Sequence, residues 1–482
     1  MITRALVLAA GLLLIAQSGQ SQTAPSLEEL QKENEALRGE NTQIRGYMDG
    51  MRKRMDDFEK SLSDKMDRSR YEEETKAMLK QIQASQPTTQ QWVSTVATDT
   101  KLKIYGFLRA DFVHDTRRTA GGYNSGGVVV ADDATGKNGD TNITARNSRL
   151  GFELIFPAYR GIETSGKLEF DFGTGMTTGN AEISATPRLR LAYIQAKTRF
   201  ATFLAGQTWD VFNPLNPSTD DVDGLWNGGG NTGYRRPQLR VEREFELAKG
   251  HKLLGQLALA RAIGSDTFGT SATGSDKLDD GSAEGWPDLQ GRTAYSTKLL
   301  TKRDTTVGVS GIYGQRKVDA VFTQGGKPVE FTQEYAAYGV GMDLTLPLLD
   351  KLFRDSDQLS FRTEWYAGQG LGGYLGHIGQ FYNETRRVPM AGKGGWGELD
   401  YQLTKDLIFR GGWGMDCVDD DRLTAGKANA NRERNTMSFL NFSYNITPNL
   451  VWTVEYEYLR TWYFESNAFD DNRVSTSFTL RF

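Results

Sequence analysis

Arginine residues recur at even spacings in two stretches of the chain, at Arg188 and Arg190 and at Arg236 and Arg240. Alternate residues of an extended strand point to the same side, so each pair would hold its guanidinium groups on one face. Because a guanidinium group binds a carboxylate through two parallel hydrogen bonds, such a face is suited to anions. The predicted anion-binding residues are Arg149, Arg188, Arg190, Arg236, Arg240 and Arg362.

An acidic segment, residues 209–233, carries the opposite charge. It contains four aspartates, two prolines that stiffen it and three consecutive glycines that permit a turn. The aspartates are Asp210, Asp220, Asp221 and Asp223. An acidic loop opposite an arginine face would create an electric field across the space between them. The alternatives are a calcium-binding loop or a solvated surface loop, although no twelve-residue calcium-binding pattern surrounds these aspartates.

Catalytic and metal-binding patterns are missing from the sequence. The three histidines, His114, His251 and His377, fall in separate segments, and no Gly-x-Ser-x-Gly, His-Glu-x-x-His or phosphate-binding loop occurs. The single cysteine, Cys417, excludes a disulfide framework. The 57 basic and 61 acidic residues give a net charge of −4, which provides no electrostatic case for nucleic acid as a partner. We expect a non-enzymatic protein without a cofactor or a metal site.

The elements that must position the arginines are predicted from the hydrophobic pattern of residues 102–482. Apolar and polar residues alternate in many runs of about ten residues, for example between residues 102 and 113 and between residues 474 and 482. A period of two is typical of a strand with one apolar and one polar face. The 53 glycines and the aromatic content of 11% also favour many short strands over stacked helices.

The connections between the predicted strands alternate in length. The long ones are residues 114–143, 173–186, 209–233, 263–286, 317–332, 368–392, 416–434 and 465–472. The short ones are residues 157–161, 197–200, 249–251, 301–304, 347–357, 404–406 and 447–449. This pattern predicts an all-β transmembrane barrel of about 16 antiparallel strands, with short periplasmic turns and long external loops.

In such a barrel the predicted arginines line a pore, and segment 209–233, which follows the fifth strand, is the predicted constriction loop. Acidic residues on the same faces would neutralise about half of the positive charge. A soluble β-sandwich also alternates, but it would have to bury the tyrosines and tryptophans that lie near the predicted strand ends.

The N-terminal hundred residues have a different character. Residues 1–22 have the pattern of a secretory signal peptide, because Arg4 precedes a short apolar run that ends in small and polar residues. Residues 27–82 repeat apolar residues at alternating spacings of three and four, which predicts an N-terminal α-helical coiled coil with Asn34 and Asn41 at core positions. The alternative is a single solvated helix, for which the apolar seam is narrow. Residues 83–101 are predicted to be a linker.

Three motifs in the first strands carry a family resemblance. They are residues 102–117 (LKIYGFLRADFVHDTR), 188–195 (RLRLAYIQ) and 202–217 (TFLAGQTWDVFNPLNP). With the preceding coiled coil, they resemble the DcaP-like trimeric outer-membrane porins, the dicarboxylate-channel family. The resemblance implies a homotrimer in the Gram-negative bacterial outer membrane, in contact with its lipid, with the coiled coil in the periplasm. It also implies passive diffusion of small hydrophilic solutes, with a preference for anionic dicarboxylate-type solutes.

A second function from a different class fits the same sequence. The protein would then be a structural tether, anchored by the barrel and bound through its coiled coil to peptidoglycan or to a periplasmic protein. A tether has no need of a charged, open lumen, so conductance distinguishes the two functions.

Overall fold

The computed structural model describes most of residues 100–482. The described residues are 46, 49, 50, 53, 92–94, 100–120, 126–131, 138–174, 185–220, 226–263, 285–324, 327–353, 357–383, 385–425 and 431–482. The chain divides into two units, Met1–Thr88 and Thr89–Phe482. The predicted signal peptide and coiled coil lie outside the described residues, apart from four helical positions between 46 and 53. No helix among the described residues is long and apolar enough to cross a membrane.

The described part of the second unit is built mainly of long antiparallel strands. We number them β1 Lys101–Asp115, β2a Asp140–Thr144, β2b Arg149–Ile155, β3 Glu163–Thr174, β4 Thr186–Lys197, β5 Thr202–Trp209, β6 Arg235–Ala248, β7 His251–Ala260, β8 Asp288–Thr297, β9 Thr305–Gln324, β10 Lys327–Asp350, β11 Gln358–Gln369, β12 Ala391–Gln402, β13 Leu407–Val418, β14 Arg432–Asn445, β15 Leu450–Tyr463 and β16 Ala468–Arg481.

The strands close into a barrel of sixteen. Each strand pairs with its neighbours in sequence, and β2a and β2b together form the second strand because both pair with β1. β1 also pairs with β16, from Phe107 opposite Arg481 to Asp115 opposite Arg473. Closure leaves no free sheet edge, which a membrane-spanning sheet requires. The predicted sixteen-stranded barrel is therefore confirmed.

Residues alternate between the two faces of the barrel wall. Outward residues such as Leu108 and Leu440 remain 59% and 68% exposed, whereas the inward Asp111 and Glu455 are 3% and 1% exposed. This is the reverse of a soluble protein and suits a wall whose outer face contacts lipid.

One strand departs from regular alternation. A register shift between Glu169 and Phe170 on β3 adds a residue to the facing part of β4, so Leu191 lies buried on the inner side with Arg190.

The seven short turns lie close to their predicted positions, but two predicted long connections are wrong. Residues 317–332 form the paired ends of β9 and β10, which continue as a hairpin to Gln324 opposite Lys327. In the sequence, the Gly-Gly pair at 325–326 is typical of a hairpin turn, although it lies within the segment that was predicted to be a long loop. The second predicted loop, 465–472, is shorter because β16 begins at Ala468. Its polar residue Asp471 is inward-facing and accepts hydrogen bonds from the residues that follow β1.

The connection of residues 370–390 between β11 and β12 has its own small structure. It contains two 3-10 helices, Gly372–Tyr374 and His377–Gly379, and a short pair of strands, Tyr382–Asn383 and Val388–Pro389. Leu371 and Tyr374 are fully buried against Phe212, Ile312 and Tyr366. This connection therefore packs inside the barrel mouth.

Candidate functional site

Residues 210–220 run along the inner wall of the barrel. Their backbone N–H groups donate to inward-facing side chains of successive strands. The donors and acceptors are Val211 to Gln290 Oε1 on β8 (2.8 Å), Leu215 to Glu364 Oε2 on β11 (2.9 Å), Ser218 to Glu398 Oε2 on β12 (2.7 Å) and Asp220 to Glu455 Oε2 on β15 (2.8 Å). The segment therefore lies inside the barrel. We call residues 210–220 and 226–233 the inner loop.

The return half of the inner loop packs against glycine-rich strands. Trp226 is fully buried beside Trp396, and its ring meets that of Phe439 edge-on at 5.3 Å. Gly230 has a φ of +81°, and a Cβ atom there would lie 2.2 Å from the carbonyl oxygen of Met415. A Cβ atom on Gly414 would lie 2.0 Å from the carbonyl oxygen of Gly229. Glycine on both sides therefore allows the loop backbone to approach β13.

The start of the inner loop is held by a buried ion pair. Arg236 Nε lies 2.7 Å from Asp210 Oδ1, and neither side chain is exposed. The guanidinium also lies 3.7 Å from the centre of the Tyr374 ring. Burial raises the pKa of the Asp210 carboxyl, while Arg236 opposes that shift by favouring the charged form. The predicted pore-lining role of Arg236 is therefore wrong, because its charge is used within the packed interior.

Asp220, at the other end of the segment 210–220, also forms an ion pair. Asp220 Oδ1 lies 3.2 Å from Arg109 Nη2 on β1, and the Asp220 carbonyl accepts a hydrogen bond from the same group at 2.8 Å. Burial raises the pKa of the Asp220 carboxyl. Asp221 and Asp223 lie outside the described residues, so their predicted place in a constriction loop stays a prediction. Within the described ranges, no cluster of acidic, histidine or cysteine side chains could hold a metal ion.

Three of the predicted arginines share two carboxylates on the opposite part of the wall. Arg188 Nε and Arg190 Nη1 each lie 2.8 Å from Asp171, and Arg190 Nε lies 2.8 Å from Glu169. Arg149 Nε is 3.7 Å from Glu169 and retains 28% of its side-chain exposure. The two carboxylates therefore cannot neutralise all three guanidinium groups.

A fourth arginine, Arg235, belongs to this group but was not predicted. Its guanidinium lies 4.9 Å from the ring centre of Trp209 and 5.0 Å from that of Tyr234. It is close enough to Arg188 and Arg190 for their charges to repel. No carboxylate of the described residues lies within 4 Å of it, and its Nη1 atom is buried without a hydrogen-bond partner there. The flanking aromatic residues in the sequence were the available signal, because arginine stacks on aromatic rings.

We call Arg149, Arg188, Arg190 and Arg235 the arginine wall. Among the described residues, Arg188 and Arg190 engage Asp171 and Glu169 closely, whereas Arg149 has a carboxylate only at 3.7 Å and Arg235 has none within 4 Å. Guanidinium groups without a close carboxylate can bind an anion through charge-assisted hydrogen bonds. The geometry therefore suits binding of a small anion with one or two carboxylate groups.

The two remaining predicted arginines are tied to neighbouring groups. Arg240 donates through Nε to Gln238 Oε1 at 3.0 Å and is hydrogen-bonded to the Trp209 carbonyl. Arg362 donates to Glu398 and Ser218, so it supports the inner loop. Their roles in solute binding stay predictions.

The closed barrel, its apolar exterior and its charged interior define an outer-membrane β-barrel of the porin class. A family model described as DcaP outer membrane protein matches residues 55–259 of the chain. This match confirms the resemblance that the sequence motifs indicated.

Three solved structures are similar to this chain to different degrees. The crystal structure of the outer membrane channel DcaP of Acinetobacter baumannii is 19% identical, covers 81% of this chain and 99% of that chain, and has a TM-score of 0.59. OmpT of Vibrio cholerae is 12% identical, with coverages of 81% and 100% and a TM-score of 0.49. The anion-selective porin from Comamonas acidovorans is 8% identical, with coverages of 80% and 100% and a TM-score of 0.45. A comparison with curated proteins gave no match.

Proposed function

We propose that the protein is a homotrimeric outer-membrane porin for passive diffusion of small hydrophilic solutes, with a preference for anionic solutes of the dicarboxylate type. The observation that carries this proposal is the arginine wall, in which, among the described residues, Arg149 has a carboxylate only at 3.7 Å and Arg235 has none within 4 Å. The inner loop occupies the other side of the interior and directs solutes past the arginines. The described aspartates of the inner loop, Asp210 and Asp220, are paired with Arg236 and Arg109. They therefore oppose anion passage only weakly.

The preference for anions follows from elementary electrostatics. A solute carboxylate that enters the barrel loses part of its hydration, and fixed guanidinium groups replace that hydration with charge-assisted hydrogen bonds. Cations receive no such compensation at the arginine wall. Two carboxylates on one solute would engage two guanidinium groups, which supports the dicarboxylate class.

Planar bilayer recordings of the purified full-length protein test this proposal. We expect conductance to appear in groups of three steps and a salt gradient to give a reversal potential that favours chloride. Triple steps with a cation preference would contradict the anionic preference alone. Absence of conductance from correctly folded protein would contradict the porin.

The tether stays a prediction from the sequence, since residues 27–82 lie outside the described part of the chain apart from four positions. Deletion of residues 27–82 tests it. If the protein is chiefly a tether, the deletion removes its cellular phenotype while the barrel still conducts.

A further inference from the structure

Four residues form a row on the outer face of the barrel, near its external end. Lys393 on β12 is opposite Cys417 on β13, Cys417 is opposite Arg434 on β14, and Arg434 is opposite Trp462 on β15. They share the face of the exposed residues Trp413 and Leu440, which lie on the same strands at even spacings. We call Lys393, Cys417, Arg434 and Trp462 the outer row.

The outer row lies at the external edge of the apolar band. On β14, Tyr444 lies near the short-turn end. Arg434 lies ten residues before it in the chain, toward the opposite end of the strand. Ten residues rise about 33 Å along a strand, which a tilt of about 40° reduces to about 25 Å across the membrane. That distance equals the height of the apolar band of an outer-membrane barrel, about 25 Å. Arg434 is therefore level with the headgroups of the outer leaflet.

The two cations of the outer row have no acidic partner among the residues that the structure describes. The Arg434 guanidinium lies 4.2 Å from the ring centre of Trp462, and its Nε atom is buried without a hydrogen-bond partner. Within the described part of the chain, no carboxylate lies within 4 Å of Arg434 or of the exposed Lys393.

Two acidic residues are nearby. Asp470 is occupied by Arg460 at 3.4 Å, and Glu433 stands at the bulge between Arg432 and Arg434. The outer row with Glu433 therefore keeps a net positive charge. Cations held at headgroup level on a lipid-facing wall require a negative partner from the membrane, because hydrocarbon offers none.

We propose that the outer row binds a phosphate group of a phosphorylated lipid in the outer leaflet. Arg434, positioned by Trp462, would donate two parallel hydrogen bonds to the phosphate, and Lys393 would add a second positive charge from two strands away. Trp462 itself suits the interface between the apolar and polar layers. This lipid site is independent of which solutes pass through the barrel.

Native mass spectrometry of the detergent-solubilised protein with bisphosphorylated lipid A tests the proposal. We expect retention of the lipid by the wild type and a loss of affinity of about tenfold or more in the double variant Lys393→Gln/Arg434→Gln, since each basic residue contributes about equally at an anionic surface. The matched control is Arg243→Gln. Arg243 lies over the Phe245 ring on the outer face of β6, but toward the short-turn end. It should retain wild-type affinity.

Two further arms identify the ligand. Dephosphorylated lipid A should bind the wild type as weakly as bisphosphorylated lipid A binds the double variant. Equal affinity for both lipids would overturn the proposal, and so would binding of inorganic phosphate as tight as binding of the lipid.

The single cysteine provides a measurement that needs no variant. Cys417 lies between Lys393 and Arg434, and it is partly exposed. Bisphosphorylated lipid A should slow alkylation of Cys417 several-fold in the wild type, whereas the dephosphorylated lipid should not. An unchanged rate with both lipids would overturn the site even if the double variant failed to fold.

Discussion

Two regions of the barrel interior use charge in opposite ways. Along β11–β15, buried acidic side chains accept hydrogen bonds from the backbone of the inner loop, so they hold a chain segment in place. Along β2b–β6, two members of the arginine wall, Arg149 and Arg235, have weak carboxylate contacts or none among the described residues, and we propose that these two act on the solute. The comparison teaches that inward charges of one barrel can be used for structure on one side, while on the other side the proposed function uses them for selectivity.

The strongest test of this division is Arg236, an arginine that belongs to the structural side. The substitution Arg236→Ala leaves Asp210 buried without its partner, which should cost about 3–5 kcal/mol of stability. The temperature at which the folded form disappears in unheated gel electrophoresis measures the loss. The control Lys197→Ala breaks an exposed pair with Glu163 and should cost less than about 0.5 kcal/mol. Equal losses in the two variants would show that Arg236 is not structural.

A smaller loss of stability is expected when the hydrogen bond between Glu398 and the middle of the inner loop is removed. Glu398 accepts a hydrogen bond from the Ser218 backbone and another from Arg362. Glu398→Ala should destabilise the barrel by about 2 kcal/mol and increase the noise of the open-channel current, because the loop loses an anchor.

The control for this experiment is two residues away on the same strand and face. Asp400 pairs with Arg410 at 2.7 Å. Asp400→Ala should leave the current noise unchanged, and comparable noise in both variants would argue against the anchoring role of Glu398.

The structural side should also respond to acid. His377 is fully buried, and burial lowers its pKa from the ordinary 6.5 to about 4. The folded protein therefore binds this proton less tightly than the unfolded chain. The stability is fully present above about pH 6.5 and falls as the pH drops toward 4, by about 2 kcal/mol at pH 5.

Thermal unfolding at pH 7 and pH 5 measures this dependence. His377→Asn should remove about that much of the difference between the two pH values, and asparagine tolerates the positive φ of this position. A pH difference as large in the variant as in the wild type would rule His377 out as its source.

Much of the barrel was predictable because its physical rule is local. Alternation with a period of two, a property of each strand alone, indicated the strands and their lipid-facing side. The alternating lengths of the connections then predicted about 16 strands in a transmembrane barrel, and the family motifs added the resemblance to porins. The predictions of loops at 317–332 and 465–472 were wrong because the strands extend into both segments, and a polar sequence does not distinguish a strand end from a loop.

The candidate site was predictable only in part, because side-chain partners are set by distant residues. Arg188 and Arg190 were predicted from their spacing, and segment 209–233 from its place after the fifth strand, and their roles in solute passage stay predictions. Arg236 and Arg235 are adjacent in sequence, but one is buried with Asp210 and the other stacks on Trp209. A period-two rule assigns them to opposite faces and cannot show which of the two keeps its charge available.

The most direct test of the arginine wall measures ion selectivity, and it involves the smallest change in free energy of the predicted effects. The double variant Arg149→Glu/Arg235→Glu reverses the charge of the two members with the weakest carboxylate contacts. Arg243→Glu, on the outer face, makes the same kind of charge change away from the interior.

The reversal potential of single channels in a planar bilayer under a potassium chloride gradient decides between the accounts. If the arginine wall sets selectivity, the wild type and Arg243→Glu favour chloride, and the double variant shifts toward potassium by about threefold or more in permeability ratio. A double variant with the reversal potential of the wild type would contradict the central claim.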